Sequence, residues 1–373
     1  MINSDEFVKH LSKKFSLSIG VPDSLLKNLI FSLEKCYKKK HIVTTNEGSA
    51  VAFAIGHYLS TKTPAIVYLQ NSGLGNAINP LTSLAHKNVY GIPMILLIGW
   101  RGEMIKKNQI KDEPQHNVQG KITLQQLKLL EIPFKILNPN ERNLSKLVND
   151  LNKLSFKKKS PVALVIKKNT FQKINYKNKN KNNKFLMRKE ILNIILENIS
   201  KNSVVVCTTG LASRELYQLR LEKKIDPSKD FLTVGGMGHA SQIASGIAFS
   251  KKKKKIICID GDGSLLMHLG SNIMNSNLNN FTHILINNGV HDSVGGQLIN
   301  STKLEYSKIA KIFNYKNTIR IFKKKDIIDN IKTLSKKNTS SFIEIMSKPG
   351  YDKSIGRPKE KLEYRKKIFM KNL

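Results

Sequence analysis

At 373 residues, with 63 Lys and Arg against 27 Asp and Glu and a formal net charge of +36, the chain is too long for one ordinary hydrophobic core. It is read as two domains of about 170 to 190 residues each. No run approaches the ~18 apolar residues of a membrane span, the N-terminal MINSDEFVKHLSKKF has helical spacing in place of a secretory signal core, and Cys36, Cys207 and Cys258 are too few and too widely spaced for a disulfide framework or a metal cage.

Strand and helix alternate along the chain. In the first half, strand character falls near residues 41 to 44, 65 to 69, 93 to 98 and 162 to 166. The first of these runs into TTNEGSAVAFAIGHYLS, where Glu47 stands at the mouth of a helix. A carboxylate there is favoured by the helix dipole whether or not it has a further role. Two polar, Gly- and His-bearing segments follow, NSGLGNAINPLTSLAHKNVYGIPMILLIGWRGE at 71 to 103 and KDEPQHNVQGKIT at 111 to 123. Between them MIKKNQI, at 104 to 110, reads as a flexible loop. After the apolar strand Val162 to Ile166 comes KKNTFQKINYKNKNKNNKF, almost without apolar periodicity. This sets a linker over 169 to 187, between a first domain at 1 to 168 and a second at 188 to 373.

The second domain opens with a helix near Arg188 to Asn198, and its strands are expected near 203 to 207, 256 to 259, 283 to 287 and 342 to 346. Glycines in VGGMGHASQIASGIAF, at 234 to 249, permit close backbone approach to a flat ligand. The run Lys251 to Lys255 reads as a solvated turn before the strand Ile256 to Ile259. GDG then makes a tight turn, and Leu265, Leu266, Leu269 and Ile273 recur at helical spacing. The next strand delivers Asn287 and Asn288 to the C-terminal edge of the same sheet, where ligands of open α/β sheets collect, so Asp262 and Asn288 are expected to meet. A carboxylate oxygen, an amide oxygen and a backbone carbonyl are hard ligands suited to Mg²⁺ that also contacts phosphate. Gly261 and Gly263 admit a phosphate group, and a helix from about Ser264 presents N–H groups to it. The unit reads as a metal-diphosphate clamp, although GDG alone is common in strand-to-helix turns and Asn-Asn is ordinary in a chain this rich in Asn.

In the order strand, GDG, helix, strand, NN, with 24 residues between Gly263 and Asn288, the segment resembles the thiamine diphosphate signature of the 2-oxoacid decarboxylase superfamily. The segments at 44 to 60, 71 to 103 and 111 to 123, with NNGVHDSVGGQ, narrow the resemblance to the phosphonopyruvate decarboxylases, with the sulfopyruvate decarboxylases as near relatives. It spans about residue 17 to about 300 and thins after Lys303.

The resemblance implies an α/β architecture of two thiamine diphosphate-binding domains, each a mostly parallel sheet flanked by helices, without the central third domain of larger relatives. It implies that Asp262, the Asn288 side chain and the Val290 carbonyl hold Mg²⁺, and that Gly261, Gly263 and Ser264 lie on the diphosphate. Glu47 would bond the aminopyrimidine and promote proton exchange at the thiazolium, aided by burial. Gly235 and Met237 would give backbone bonds to the pyrimidine, with the Met237 side chain propping the cofactor. His116, His239 and His291 are the candidate proton relays, and Asp292 and Gln115 polar positioners. Arg101 and Lys111 are candidates for an anionic head group, with Asn71, Ser72 and Asn76 lining the same pocket. The implied reaction converts 3-phosphonopyruvate to phosphonoacetaldehyde and CO₂, in a homo-oligomer whose sites lie between subunits.

A sulfonate or a plain 2-oxoacid remains an alternative substrate. A different class, a non-catalytic basic protein associated with nucleic acid, is suggested by the charge. Against it, the lysines are spread over linker, helices and loops, and no zinc-finger, RNA-recognition or helix-turn-helix signature accompanies them. The expectation is a soluble cytoplasmic enzyme with buried, reduced thiols.

Overall fold

Each half of the chain builds a six-stranded parallel sheet with helices on both faces. The computed structural model describes residues 1–106, 108–174, 184–299, 304–352, 354–358 and 360–373. The chain divides into the units Met1–Lys177 and Asn178–Leu373. That division falls inside the expected linker, whose residues 175–183 lie outside those described. The start of that stretch belongs to the first unit: Thr170 and Phe171 are buried, Phe171 bridges Ile2, and its ring packs 5.7 Å from that of Phe7.

In the first unit the strands lie in the order His41–Val43, Ser18–Gly20, Ile66–Gln70, Met94–Gly99, Pro161–Ile166, Phe134–Leu137. In the second they lie in the order Asp230–Leu232, Val204–Cys207, Ile256–Gly261, Phe281–Asn287, Ser341–Met346, Asn317–Ile321. Numbered in chain order within each unit, both sheets run 2-1-3-4-6-5. Helices cover both faces, so the central strands are buried runs such as MILLIG and IICIDG, whose alternate residues serve opposite cores. Ile95 and Leu97 face one core while Leu96 and Ile98 face the other; Ile257 and Ile259 likewise oppose Ile256 and Cys258.

Within the two parallel sheets, the four strands that sequence patterning passed over are short or lie at an edge: Ser18–Gly20, Phe134–Leu137, Asp230–Leu232 and Asn317–Ile321. Ser18–Gly20 is three residues long, yet its Gly20 is required, because a Cβ there would lie 2.0 Å from the Tyr68 carbonyl oxygen. The expected flexible loop at 104 to 110 contains instead an antiparallel pair, Met104–Ile105 with Asn108–Gln109. Gln109 Nε2 pins it by donating to the carbonyls of Gly102 (2.8 Å) and Asn117 (2.7 Å). Lys107 lies outside the described residues.

The helix after GDG begins at Asp262, two residues earlier than expected, and ends at Met267. Leu265 is buried, but Ile273 is 54% exposed. Residues Leu269–Asn277 form a 3₁₀ stretch with three residues per turn, which carries Ile273 off the face that an α-helix would give it. Cys207 and Cys258 are buried as expected, whereas Cys36 is exposed in the last turn of the helix Lys27–Tyr37. At the chain's end the helix Leu362–Asn372 docks on the second unit, with Phe369 5.4 Å from the Phe231 ring and Arg365 over the ring of Tyr217.

Candidate active site

In both sheets the strand order reverses between the first and third strands, and connections leave in opposite directions there, opening a crevice at the C-terminal strand ends. In the second unit that crevice lies between Val204–Cys207 and Ile256–Gly261. Asp262, first residue of its helix, is 3% exposed. Its carboxylate accepts from the Gly263 N–H (3.0 Å) and the Gly289 N–H (2.7 Å). Among the described residues neither Lys nor Arg pairs with it, and burial pushes its carboxyl up to about 7 against the pull of those backbone bonds. A buried carboxylate without a counter-charge fits a bound cation, whose field favours the ionised form.

Gly289, at φ +72°, turns the chain so that its N–H meets Asp262, which joins the two segments read from the sequence as one clamp. Asn288 Oδ1 accepts from the Val290 N–H at 3.1 Å, while Nδ2 donates to Asp292 Oδ2 at 2.7 Å. Val290 is buried and pairs with Leu298 in a short antiparallel ribbon. Around Gly261 a Cβ would meet nothing within 4 Å, whereas at Gly263 it would lie 2.7 Å from His291 Cε1. Gly263 therefore makes room for an imidazole of this chain. Burial pushes that His291 imidazole down to about 4, so it is neutral at physiological pH.

Ser264 is buried, its hydroxyl 2.8 Å from that of Thr208 and accepting from the Gly238 N–H at 3.0 Å. It thus ties the 233–239 turn to the ends of two strands. Gly236 and Gly238, at φ +66° and +92°, shape that turn and leave Gly235 and Met237 half-buried on it. His239 is exposed, its ring edge-on to His268 with centroids 4.5 Å apart. Asp292 accepts from Asn288, from the Gly350 N–H and from Arg188, which also holds Glu215 through two nitrogens. Thr208, Arg188, Glu215, His268 and Gly350 escaped sequence reading; single residues on five different segments carry no local pattern.

In the first unit the helix Glu47–Thr61 starts with Glu47, behind the Asn46 cap whose side chain accepts from the Ser49 N–H. Glu47 is 5% exposed, and its Oε2 accepts from Asn76 Nδ2 at 2.8 Å. Burial raises its pKa while the Asn76 bond opposes the rise. Gly73 is the floor beneath it: a Cβ there would lie 2.3 Å from Glu47 Oε1.

The other predicted residues divide into engaged and available groups. Asn71 is fully buried, with Nδ2 donating to the Arg101 carbonyl and to Thr123 Oγ1 and Oδ1 accepting from the Arg101 N–H. Its amide therefore staples strand ends to the helix Pro114–Leu129. Ser72 Oγ accepts from Gln70, and Gln115 donates to Glu113. Arg101 grips Asp112 through two nitrogens (2.8 and 2.6 Å) and reaches Ser24. That guanidinium holds the Asp112 carboxyl well below the usual range, although burial acts in the opposite direction. His116 is buried beside this pair, and Lys111 is exposed and makes no ion pair among the described residues. The sequence reading passed over Asp112 as the partner of Arg101, and also Asp23, 1% exposed, which burial pushes up to about 6.

Comparison with known proteins gives a family. Residues 4–127 match the thiamine pyrophosphate enzyme N-terminal TPP binding domain, and residues 208–345 match the C-terminal TPP binding domain. A phosphonopyruvate decarboxylase of Streptomyces viridochromogenes is 30% identical over 357 residues, covering 91% of this chain and 87% of the relative. One from Streptomyces hygroscopicus is 28% identical over 357 residues, covering 91% and 86%. A sulfopyruvate decarboxylase of Methanosarcina acetivorans is 25% identical over 377 residues, covering 94% and 92%. With a buried carboxylate at the crevice of the first unit and an acidic, cation-fitting crevice in the second, the chain belongs to the phosphonopyruvate decarboxylase family of thiamine diphosphate-dependent decarboxylases and is a carboxy-lyase.

Proposed function

We propose that the protein decarboxylates 3-phosphonopyruvate to phosphonoacetaldehyde and CO₂ with thiamine diphosphate and Mg²⁺. The observation that supports the substrate is similarity along nearly the whole chain: two phosphonopyruvate decarboxylases match 91% of it at 30% and 28% identity and a sulfopyruvate decarboxylase matches 94% at 25%, whereas separate sulfopyruvate decarboxylase subunits of 31% to 36% identity match only 31% to 44% of it.

When bound, the cofactor supplies the electron sink that lets CO₂ leave a 2-oxoacid. The chain's residues do the rest. Asp262, the Asn288 amide oxygen and the Val290 carbonyl would hold Mg²⁺, and the open space around Gly261 would admit the diphosphate. Gly235 and Met237, on the turn that Ser264 braces, would receive the pyrimidine. Glu47, whose pKa burial raises against the pull of the Asn76 bond, would bond the pyrimidine ring and serve as the group that exchanges a proton with it. His116, His239 and His291 are the candidate relays; His291, neutral and against Gly263, stands beside the metal segment. For the phosphonate, the exposed Lys111 offers a charge unmatched among the described residues, while Arg101 would act together with Asp112. Asn76 serves through its bond to Glu47, and Ser72 and Gln115 line the mouth. We assign the site to an oligomer in which Glu47 of one chain serves Asp262 of another.

The test is CO₂ release from 3-phosphonopyruvate, sulfopyruvate and pyruvate with Mg²⁺ and thiamine diphosphate. The expected result is preference for the phosphonate, abolished in Glu47→Gln. Turnover of sulfopyruvate alone changes the substrate, and no turnover or cofactor binding at all removes the proposal.

A further inference from the structure

We infer that Asp292 is a positioning residue for the metal centre: by facing the Asn288 amide with an acceptor-only carboxylate, it forces the Asn288 oxygen to be the atom available to a divalent cation. The inference rests on the reading of Asn288 as a metal ligand.

An asparagine amide presents oxygen on one side and NH₂ on the other, and only the oxygen ligates Mg²⁺. Here the two contacts of Asn288 agree on one orientation. Nδ2 donates to Asp292 Oδ2 at 2.7 Å, and Oδ1 accepts from the Val290 N–H at 3.1 Å. A carboxylate accepts and does not donate, so with Asp292 in place the flipped amide would set oxygen against oxygen.

Asp292 is itself fixed from two further directions. The Gly350 N–H lies 3.1 Å from both of its oxygens, and Arg188 Nη1 lies 3.3 Å from Oδ2. Arg188 is in turn locked to Glu215, with Nε 2.6 Å from Oε2 and Nη2 3.0 Å from Oε1. Arg188 is 8% exposed and Glu215 1%. Four segments therefore converge to hold one carboxylate against one amide, far more constraint than a surface loop needs. Such outer partners of a metal ligand orient it, and their loss weakens metal binding by about 10- to 100-fold.

The experiment is titration of Mn²⁺ into the full-length protein with thiamine diphosphate, reading free Mn²⁺ by electron paramagnetic resonance, with folding followed by circular dichroism. In Asp292→Asn the new amide can also donate to position 288, so only the Val290 N–H still opposes a flip of Asn288. Mn²⁺ affinity is expected to fall at least about tenfold. The swap Asn288→Asp with Asp292→Asn keeps one carboxylate and one amide in the pair. A carboxylate at 288 has no wrong orientation, so the swap is expected to restore affinity to within about threefold of wild type. This recovery separates orientation from a merely structural role. Unchanged Mn²⁺ binding in Asp292→Asn overturns the inference, as does a loss that the swap leaves unrepaired. If Asp292→Asn fails to fold, Mn²⁺ binding by the swap decides alone. Wild-type protein that takes up neither Mn²⁺ nor cofactor removes the proposed function and this inference with it.

Discussion

Glu47 shows how little separates a helix-capping carboxylate from a candidate catalytic one. A residue at that position is favoured by the dipole anyway; what distinguishes this one is its burial, its bond to Asn76 and the absence of a side chain at Gly73. Gly73→Ala places a methyl carbon 2.3 Å from Glu47 Oε1 and must displace the carboxylate. A displacement of about 1 Å at a reacting group costs on the order of 100-fold in kcat. Steady-state assay of this variant is expected to show that loss, with cofactor affinity less affected. Asp23 carries a prediction of opposite kind. Burial raises its carboxyl from 3.8 to about 6, so the folded state binds a proton more tightly than the unfolded chain does. This group favours folding most at pH below 4 and progressively less as pH rises through 6. Two units correspond to about 3 kcal/mol. In urea denaturation, Asp23→Asn is therefore expected to gain about that much relative to wild type between pH 4 and pH 8, and parallel pH profiles would remove the argument.

At the scale of elements, the second crevice is braced by short contacts between pieces that have little regular structure of their own. The helix Asp262–Met267 has six residues and the turn at 233–239 has none in helix or strand. Ser264 joins them, meeting Thr208 on one side and the Gly238 N–H on the other. Ser264→Ala leaves that buried N–H and the Thr208 hydroxyl without their partner, at a cost of about 1–3 kcal/mol. A lowered thermal midpoint, together with weaker binding of thiamine diphosphate to the loosened turn, is the expected outcome; an unchanged midpoint would show that water replaces the serine.

At the scale of the molecule, the two units share one strand order, and the candidate residues lie at corresponding crevices. If each site takes Glu47 from one chain and Asp262 from another, mixing Glu47→Gln with Asp262→Ala subunits under exchange restores activity to two inactive proteins. Half the dimers are then mixed and each has one intact site, giving about a quarter of wild-type turnover. No recovery would place both residues in the same chain's site. The candidate residues Glu47, Asp262 and Asn288 were legible because each closely follows an apolar strand, and the buried strands were legible because helices on both faces demand apolar runs. Edge strands such as Phe134–Leu137, half exposed, gave no such run, and Ser18–Gly20 was too short to show a period. By itself the sequence determined two α/β units and the family resemblance, and it marked the segments proposed as a clamp, because these depend on local order and spacing. The tertiary structure alone decided which polar groups are engaged. It tied Arg101 to Asp112 and Asn71 to Thr123, and joined Asp292 to Arg188, 104 residues away in sequence. Hydrogen bonds between groups that distant arise from the packing of sheet edges and leave no periodic trace along the chain.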